Sequence, residues 1–208
     1  MHVQHFTLLS AHRFGNVIDD MLRLRHKVFV RDAQWAIPTW AEREADEFDT
    51  ALWTHYFALY DDDGVMRATG RNIRCDHPYM LKKLWPDLAY GAELPSGPKW
   101  AEGSRMCVDP EVSAKDRALY HTVITLAAME WAWDRGIERF CFVTYPWAIK
   151  ALSNMGLEPT SYGPPMGFGE EKFLAGHYSV APEFTGKLRN LLQIGGEILR
   201  DDEEELAA

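Results

Sequence analysis

The chain predicts an α/β sandwich: a central mixed sheet with helices on both faces, in one domain over residues 1–200 with an acidic tail at 201–208. Three observations carry this. Apolar residues switch repeatedly between the period of two that marks strands and the 3.6 period that marks helices. The 208 residues are 47% apolar and 12% aromatic, enough to bury a sizeable core. No internal repeat or Pro/Gly/Ser-rich linker divides the chain.

The elements follow in order. Val3–Leu9 reads as an opening strand. Phe14, Val17, Ile18, Met21, Leu22, Val28 and Phe29 then trace one face of an amphipathic helix, with Arg25 on the apolar stripe. Residues 33–50 lose periodicity around Pro38, and a connection this long inside a compact domain points to function or mobility. Thr54–Tyr60 and Val65–Arg74 are strands joined by the hairpin signal Asp61-Asp-Asp-Gly64. A short helix at Tyr79–Trp85 and a Pro/Gly-rich connection lead to strand Trp100–Val108. Lys115–Arg135 is a long helix, apolar on most sides and closed by Gly136. Phe140–Tyr145 is a strand, Pro146 opens a helix that Gly156 closes, Lys172–Val180 is a last strand, and Glu183–Leu199 a final helix.

With a formal charge of −9 and no basic stripe along the chain, nucleic acid is not an expected partner. Asp201 to Glu205 read as a solvated, frayed tail. Three scattered cysteines (Cys75, Cys107, Cys141) argue against a disulfide framework and for buried thiols. No Cys/His spacing points to a metal or other cofactor. No apolar run approaches the roughly 18–20 residues that span a bilayer, and the N-terminus lacks the pattern of a signal peptide. A cytoplasmic protein without membrane partners is expected.

Two segments look unlike ordinary core. One runs Leu24-Arg25-x-x-x-Phe29, Trp35-x-Ile37, then Glu44-x-Asp46-x-Phe48-Asp49. The other is Trp100-x-Glu102-Gly-Ser104-Arg105-Met106, charges inside an apolar strand, with Arg71 on the strand between. Buried charges are costly unless paired, so mutual ion pairing or a polar ligand is implied. A network that only orders the loop is the plain alternative for Arg25, Asp46, Asp49, Arg71 and Arg105.

These blocks, with Arg71-Asn-Ile73 and Pro78-Tyr-Met-Leu81 between them, resemble in order and spacing the acyl-homoserine-lactone synthases, the LuxI-type autoinducer synthases. The resemblance covers Arg25 to Arg105; Asp32 departs from it, standing where the family usually has Lys, Arg or Gln. It implies an acetyltransferase (GNAT)-like fold. The implied reaction acylates S-adenosylmethionine, a substrate and not a cofactor, from acyl carrier protein, giving an N-acyl-homoserine lactone and methylthioadenosine. An acyl- or aryl-CoA acyltransferase acting on another amine is the alternative.

The residues suit that chemistry. Phe29 and Trp35, with Trp40 a further candidate, offer aromatic faces to a sulfonium. Asp46 and Asp49 suit its amino group, and Arg25, Arg71 or Arg105 its carboxylate. Glu102 is the candidate base that takes a proton from the amine. Glu102 and Ser104 face one way in an ideal strand and Arg105 the other. Either Gly103 marks a bulge, or Arg105 braces the cluster from the far face; the brace is the expectation, with Ser104 a hydrogen-bonding residue. Met80, Leu84, Trp100, Met106, Phe142, Thr144, Trp147, Leu152 and Met155 are candidate lining for an acyl cleft, each with plain core packing as its alternative. In the family the place of Thr144 is linked to preference for 3-oxo acyl groups. Lys82, Lys83, Lys115, Arg117, Arg139 and Lys150 are candidates for a patch that receives an acidic carrier protein.

Overall fold

A computed structural model describes residues 1–169 and 171–201. Strand β1 (His2–Phe6) precedes helix α1 (Val17–Arg25), which runs on into a π-helical segment, His26–Asp32. A small hairpin, β2 (Thr39–Trp40) and β3 (Arg43–Glu44), and a 3-10 helix (Glu47–Thr50) fill what periodicity left as a loop. Then come β4 (Thr54–Tyr60), β5 (Met66–Arg74), α2 (Met80–Leu84), β6 (Trp100–Val108), α3 (Ala114–Asp134), β7 (Arg139–Thr144) and α4 (Pro146–Asn154). Short strands β8 (Thr160–Ser161) and β9 (Met166–Phe168), β10 (Glu171–Ser179), α5 (Pro182–Leu192) and β11 (Leu199–Arg200) complete the chain.

The large sheet has the order β11-β1-β4-β5-β6-β7-β10-β8, with β9 also paired to β10. It is mixed, since β1–β11 and β6–β7 are parallel and the other pairs antiparallel. Helices cover both faces, as expected. On one face α3, α4 and α5 bury Val123, Ile124, Ala127, Leu152 and Leu188 against Phe57, Phe140 and Phe142. On the other, α1 and the π segment pack Met21, Leu24 and Phe29 against Phe6, Tyr56 and Cys107, while α2 packs Met80 and Leu81 near Ile73 and Cys141.

Several boundaries move for identifiable reasons. The first strand stops at Phe6, because the Ser10 hydroxyl accepts the Thr7 N–H and starts a turn. The first helix begins at Val17, not Phe14, and its last turns are π-helical, a geometry often found at functional sites. The final helix ends at Leu192, where Gln193 turns into the left-handed region (φ 55°) and frees Leu199–Arg200 to pair with β1. Asp201 is not frayed: it accepts from His5 Nδ1 (2.8 Å) and pairs with Arg135 (2.8 Å). Positions 202–208 of the expected tail lie outside the described residues.

All three cysteines are buried free thiols, with Cys75 and Cys141 Sγ atoms 3.8 Å apart. Among the described residues no helix is long and apolar enough to cross a membrane, and no group of three or more His, Cys, Asp or Glu could hold a metal ion.

Candidate active site

Local chemistry orients the acidic segment first. Asp46 is the N-cap of the 3-10 helix and accepts the Phe48 N–H (2.9 Å), while Asp49 accepts the Asp46 N–H (2.8 Å). This reciprocal cap presents both carboxylates to one side. Three guanidiniums meet them there. Arg25, from α1, donates to Glu44 (2.6 Å) and to both oxygens of Asp49 (2.8 Å each). Arg71, from β5, donates to both oxygens of Asp46 (2.6 and 2.9 Å) and to Asp49 (2.8 Å). Arg105, from β6, reaches Glu44 (3.1 Å) and Asp46 (2.9 Å).

Three positive and three negative groups thus satisfy one another, and Arg25, Arg71 and Glu44 are fully buried. Glu44 belongs to the acidic block but was not among the expected site residues. Charge balance was the signal: three arginines on an apolar face need a third carboxylate. Tyr56 adds a hydroxyl donated to Asp49 (3.1 Å). Burial works to raise the Asp49 pKa, and the Arg71 and Arg25 charges overcome it, holding the carboxyl well below the usual range. Arg105 goes the other way; its burial lowers it despite Glu44 and Asp46.

The expectation that Arg105 braces the cluster from the far face is overturned. Thr69 pairs with Cys107 but Arg71 with Ser104, so the single residue Gly70 faces both Arg105 and Met106. This is a β-bulge, at Arg105 and not at Gly103, and Arg105 takes the left-handed conformation it requires (φ 49°). The extra residue turns Arg105 onto the face that carries Arg71, Ser104 and Glu102. Its bracing role stands, through Glu44 and Asp46, with Arg25 in its place at Asp49. Ser104 Oγ accepts from Arg71 Nε (3.1 Å), a hydrogen-bonding role as expected.

Glu102 is buried, and its two oxygens accept the N–H groups of Met80 and Leu81 at 2.7 Å each. It therefore anchors the first turn of α2. Burial outweighs those two hydrogen bonds and raises its pKa to about 7.

Phe29 and Trp35 stack (centroids 4.7 Å apart, planes 11° apart), and the Arg105 guanidinium lies 5.9 Å from the Phe29 ring centre. Trp35 Nε1 donates to the Tyr145 hydroxyl (2.7 Å), tying the N-terminal segment to the end of β7. Trp40 is exposed against Arg43 on the hairpin and is not part of this wall.

The expected acyl lining divides between the two sides of the sheet. Met106, Phe142, Leu152 and Met155 belong to the core under α3, and Thr144 shares the Phe142 face by strand alternation. Met80 and Trp100 lie on the opposite face, near Glu102. Leu84 and Trp147 are exposed. The ladder between β6 and β7 ends at the Gly103–Phe142 pair although both strands continue, so the strands part there.

The basic residues do not form one patch. Arg139 starts β7 and lies over Trp100 (5.2 Å), whereas Lys83 of α2 pairs with Glu47 and lies 5.8 Å from the Phe48 ring centre. Lys115 and Arg117 open α3 beyond the other end of β6, and Lys150 follows β7 there. The 21 residues of α3 span about 30 Å between Lys115 and the start of β7 at Arg139.

A profile described as autoinducer synthase matches residues 10–188. The chain belongs to that family. This autoinducer synthase is 28% identical over 165 residues to the acyl-homoserine-lactone synthase of Pseudomonas aeruginosa, covering 76% of this chain and 80% of that one. Its fold superposes on BjaI, a CoA-dependent acyl-homoserine lactone synthase solved with SAM and isopentyl-CoA, with a TM-score of 0.87 at 22% identity (97% of this chain, 93% of that). A structure described as an N-acetyltransferase from Lactobacillus plantarum matches at TM-score 0.59 and 15% identity, covering 87% of this chain and 100% of that one. The acetyltransferase-like sandwich is thereby shown.

Proposed function

We propose that this autoinducer synthase makes an N-acyl-L-homoserine lactone from S-adenosylmethionine and an acyl thioester. The carrying observation is the closed set of three guanidiniums and three carboxylates whose rim, Arg105 and Asp46, adjoins the Phe29–Trp35 stack. A zwitterion bearing a sulfonium needs all three features: an aromatic face for the sulfur cation, a carboxylate for the ammonium and a guanidinium for the carboxylate.

In the first step the amine attacks the thioester carbonyl. The amide C–N bond forms, the C–S bond breaks, and the thiol leaves with the proton. The ammonium must first lose a proton, and a carboxyl whose pKa is near 7 is matched to that task. Glu102 keeps lone pairs beyond the two that hold α2, so we assign it the proton through a bridging water. The methionyl carboxylate then displaces the sulfonium at the carbon that carries it, closing the lactone and releasing methylthioadenosine. That step needs only in-line positioning.

For the donor, Lys115, Arg117 and Lys150 at the parting of β6 and β7 support acyl carrier protein. Arg139, at the start of β7, lies away from that docking face. A CoA donor is the second reading, favoured by the divided basic residues and by the likeness to BjaI, which was solved with isopentyl-CoA. The deciding experiment supplies purified protein with S-adenosylmethionine and either acyl-carrier protein or acyl-CoA, and follows lactone, methylthioadenosine and free thiol together. Equal yields of all three from one donor are expected. Thiol release without lactone on supplying other amines would instead favour the general acyltransferase.

A further inference from the structure

A cavity of about 400 Å³ lies on the α2 face of the sheet, at the end where β6 and β7 begin. None of the three arginines and three carboxylates of the active site lines it. Its size suits a small molecule. The floor is aromatic: Trp100, which opens β6, meets His177 of β10 edge to face (centroids 5.7 Å apart, planes at 85°), and the Tyr162 ring lies 5.4 Å from His177. One wall is the connection before β6, through Glu93, Leu94 and Pro95. The Tyr79 hydroxyl donates to the Pro95 carbonyl (2.6 Å) and ties this wall to the start of α2, so its shape is held in advance. Two groups of opposite charge line the space. Arg139 lies over the Trp100 ring (5.2 Å), and Glu93 stands on the wall. Both side chains are exposed, and among the described residues neither makes an ion pair, with the other or elsewhere. Burial and the Arg139 charge hold the His177 imidazole below its ordinary pKa, so at neutral pH the lining carries one positive and one negative charge.

We propose that this cavity is a second ligand site, separate from the active site, and that it binds a free α-amino acid with an apolar or aromatic side chain. The Arg139 guanidinium takes the carboxylate and Glu93 takes the ammonium. The side chain lies on Trp100 and Tyr162, beside Leu94 and Pro95. A simple anion would bring its charge toward Glu93, and a simple cation would bring its charge toward Arg139. A small zwitterion satisfies both groups at once and leaves an apolar part for the rings. The site does not depend on the acyl-transfer reading above.

The test titrates isotope-labelled protein with L-phenylalanine, phenylpropionate and phenethylamine and follows the backbone amide resonances. Excess S-adenosylhomocysteine is present throughout, because the active site also offers partners to an amino-acid head. L-Phenylalanine is expected to bind with a Kd of about 1 mM, shifting amides of residues 93–100 and those around Arg139, Tyr162 and His177. Phenylpropionate lacks the ammonium and phenethylamine the carboxylate, and each should bind about fivefold or more weakly. Arg139→Gln and Glu93→Gln should each weaken L-phenylalanine by about the same factor. Both side chains are exposed, so these variants keep the fold. Shifts that do not saturate, or that centre on Asp46, Arg71 and Arg105, overturn the proposal. So does equal binding of the three compounds, or an unchanged affinity in either variant. No acyl transfer is measured, so failure here leaves lactone synthesis standing, and failure of lactone synthesis leaves this site standing.

Discussion

Arg71 is buried to within 1% and shared by Asp46, Asp49 and Ser104. Its loss leaves two carboxylates without their main counter-charge in a site that excludes water. Arg71→Ala is therefore expected to cost stability, about 3–5 kcal/mol in urea unfolding, and not only activity. Asp46 is the more accessible partner, and Asp46→Asn should retain the fold while losing lactone synthesis. Glu102 gives a pH signature of its own. Its pKa is raised from 4.5 to about 7 on folding, so the native state holds the proton longer than the unfolded chain. That contribution is fully present below pH 4.5 and is lost as pH rises to about 7, a change of roughly 3 kcal/mol. The difference in unfolding free energy between wild type and Glu102→Gln, measured across that window, should slope accordingly. Wild-type turnover by Glu102→Gln would remove it as the base.

Among the elements, the β6 bulge and the close packing of β10 do most to shape the site. Gly176 lies against Phe142 and the Thr160 carbonyl, which would be 2.5 Å from an added methyl. Gly176→Ala must push β8 away or displace the Phe142 ring, and should destabilise by about 1–3 kcal/mol in urea unfolding. Gly186 in α5 is the contrast, with nothing within 4 Å and no positive φ. Gly186→Ala should stabilise by about 0.5–1 kcal/mol with activity unchanged, both read from urea unfolding and lactone assays.

Across the molecule, one ion-pair network joins α1, the acidic segment, β5 and β6. Asp49 has its pKa depressed in the folded state, so it contributes stability above the ordinary carboxylate range that disappears as pH falls through its folded value. Acid unfolding should therefore release residues 17–50 together with β5 and β6, a joint loss of amide protection that hydrogen exchange would show. Separate release of the N-terminal segment would mean that the network does not couple them.

Much of this was legible from one sequence. The strands Thr54–Tyr60 and Trp100–Val108, the long helix after them, and the gathering of Arg25, Arg71, Arg105, Asp46 and Asp49 follow from periodicity, residue type and the resemblance, because each depends on neighbours a few positions away or on charges that must pair when buried. The face taken by Arg105, the entry of Glu44 into the network and the anchoring of α2 by Glu102 did not follow. These depend on strand register, on one extra residue in β6 and on where α2 docks against the sheet. Such relations hold between segments distant in the chain, and only packing them together sets which atoms meet.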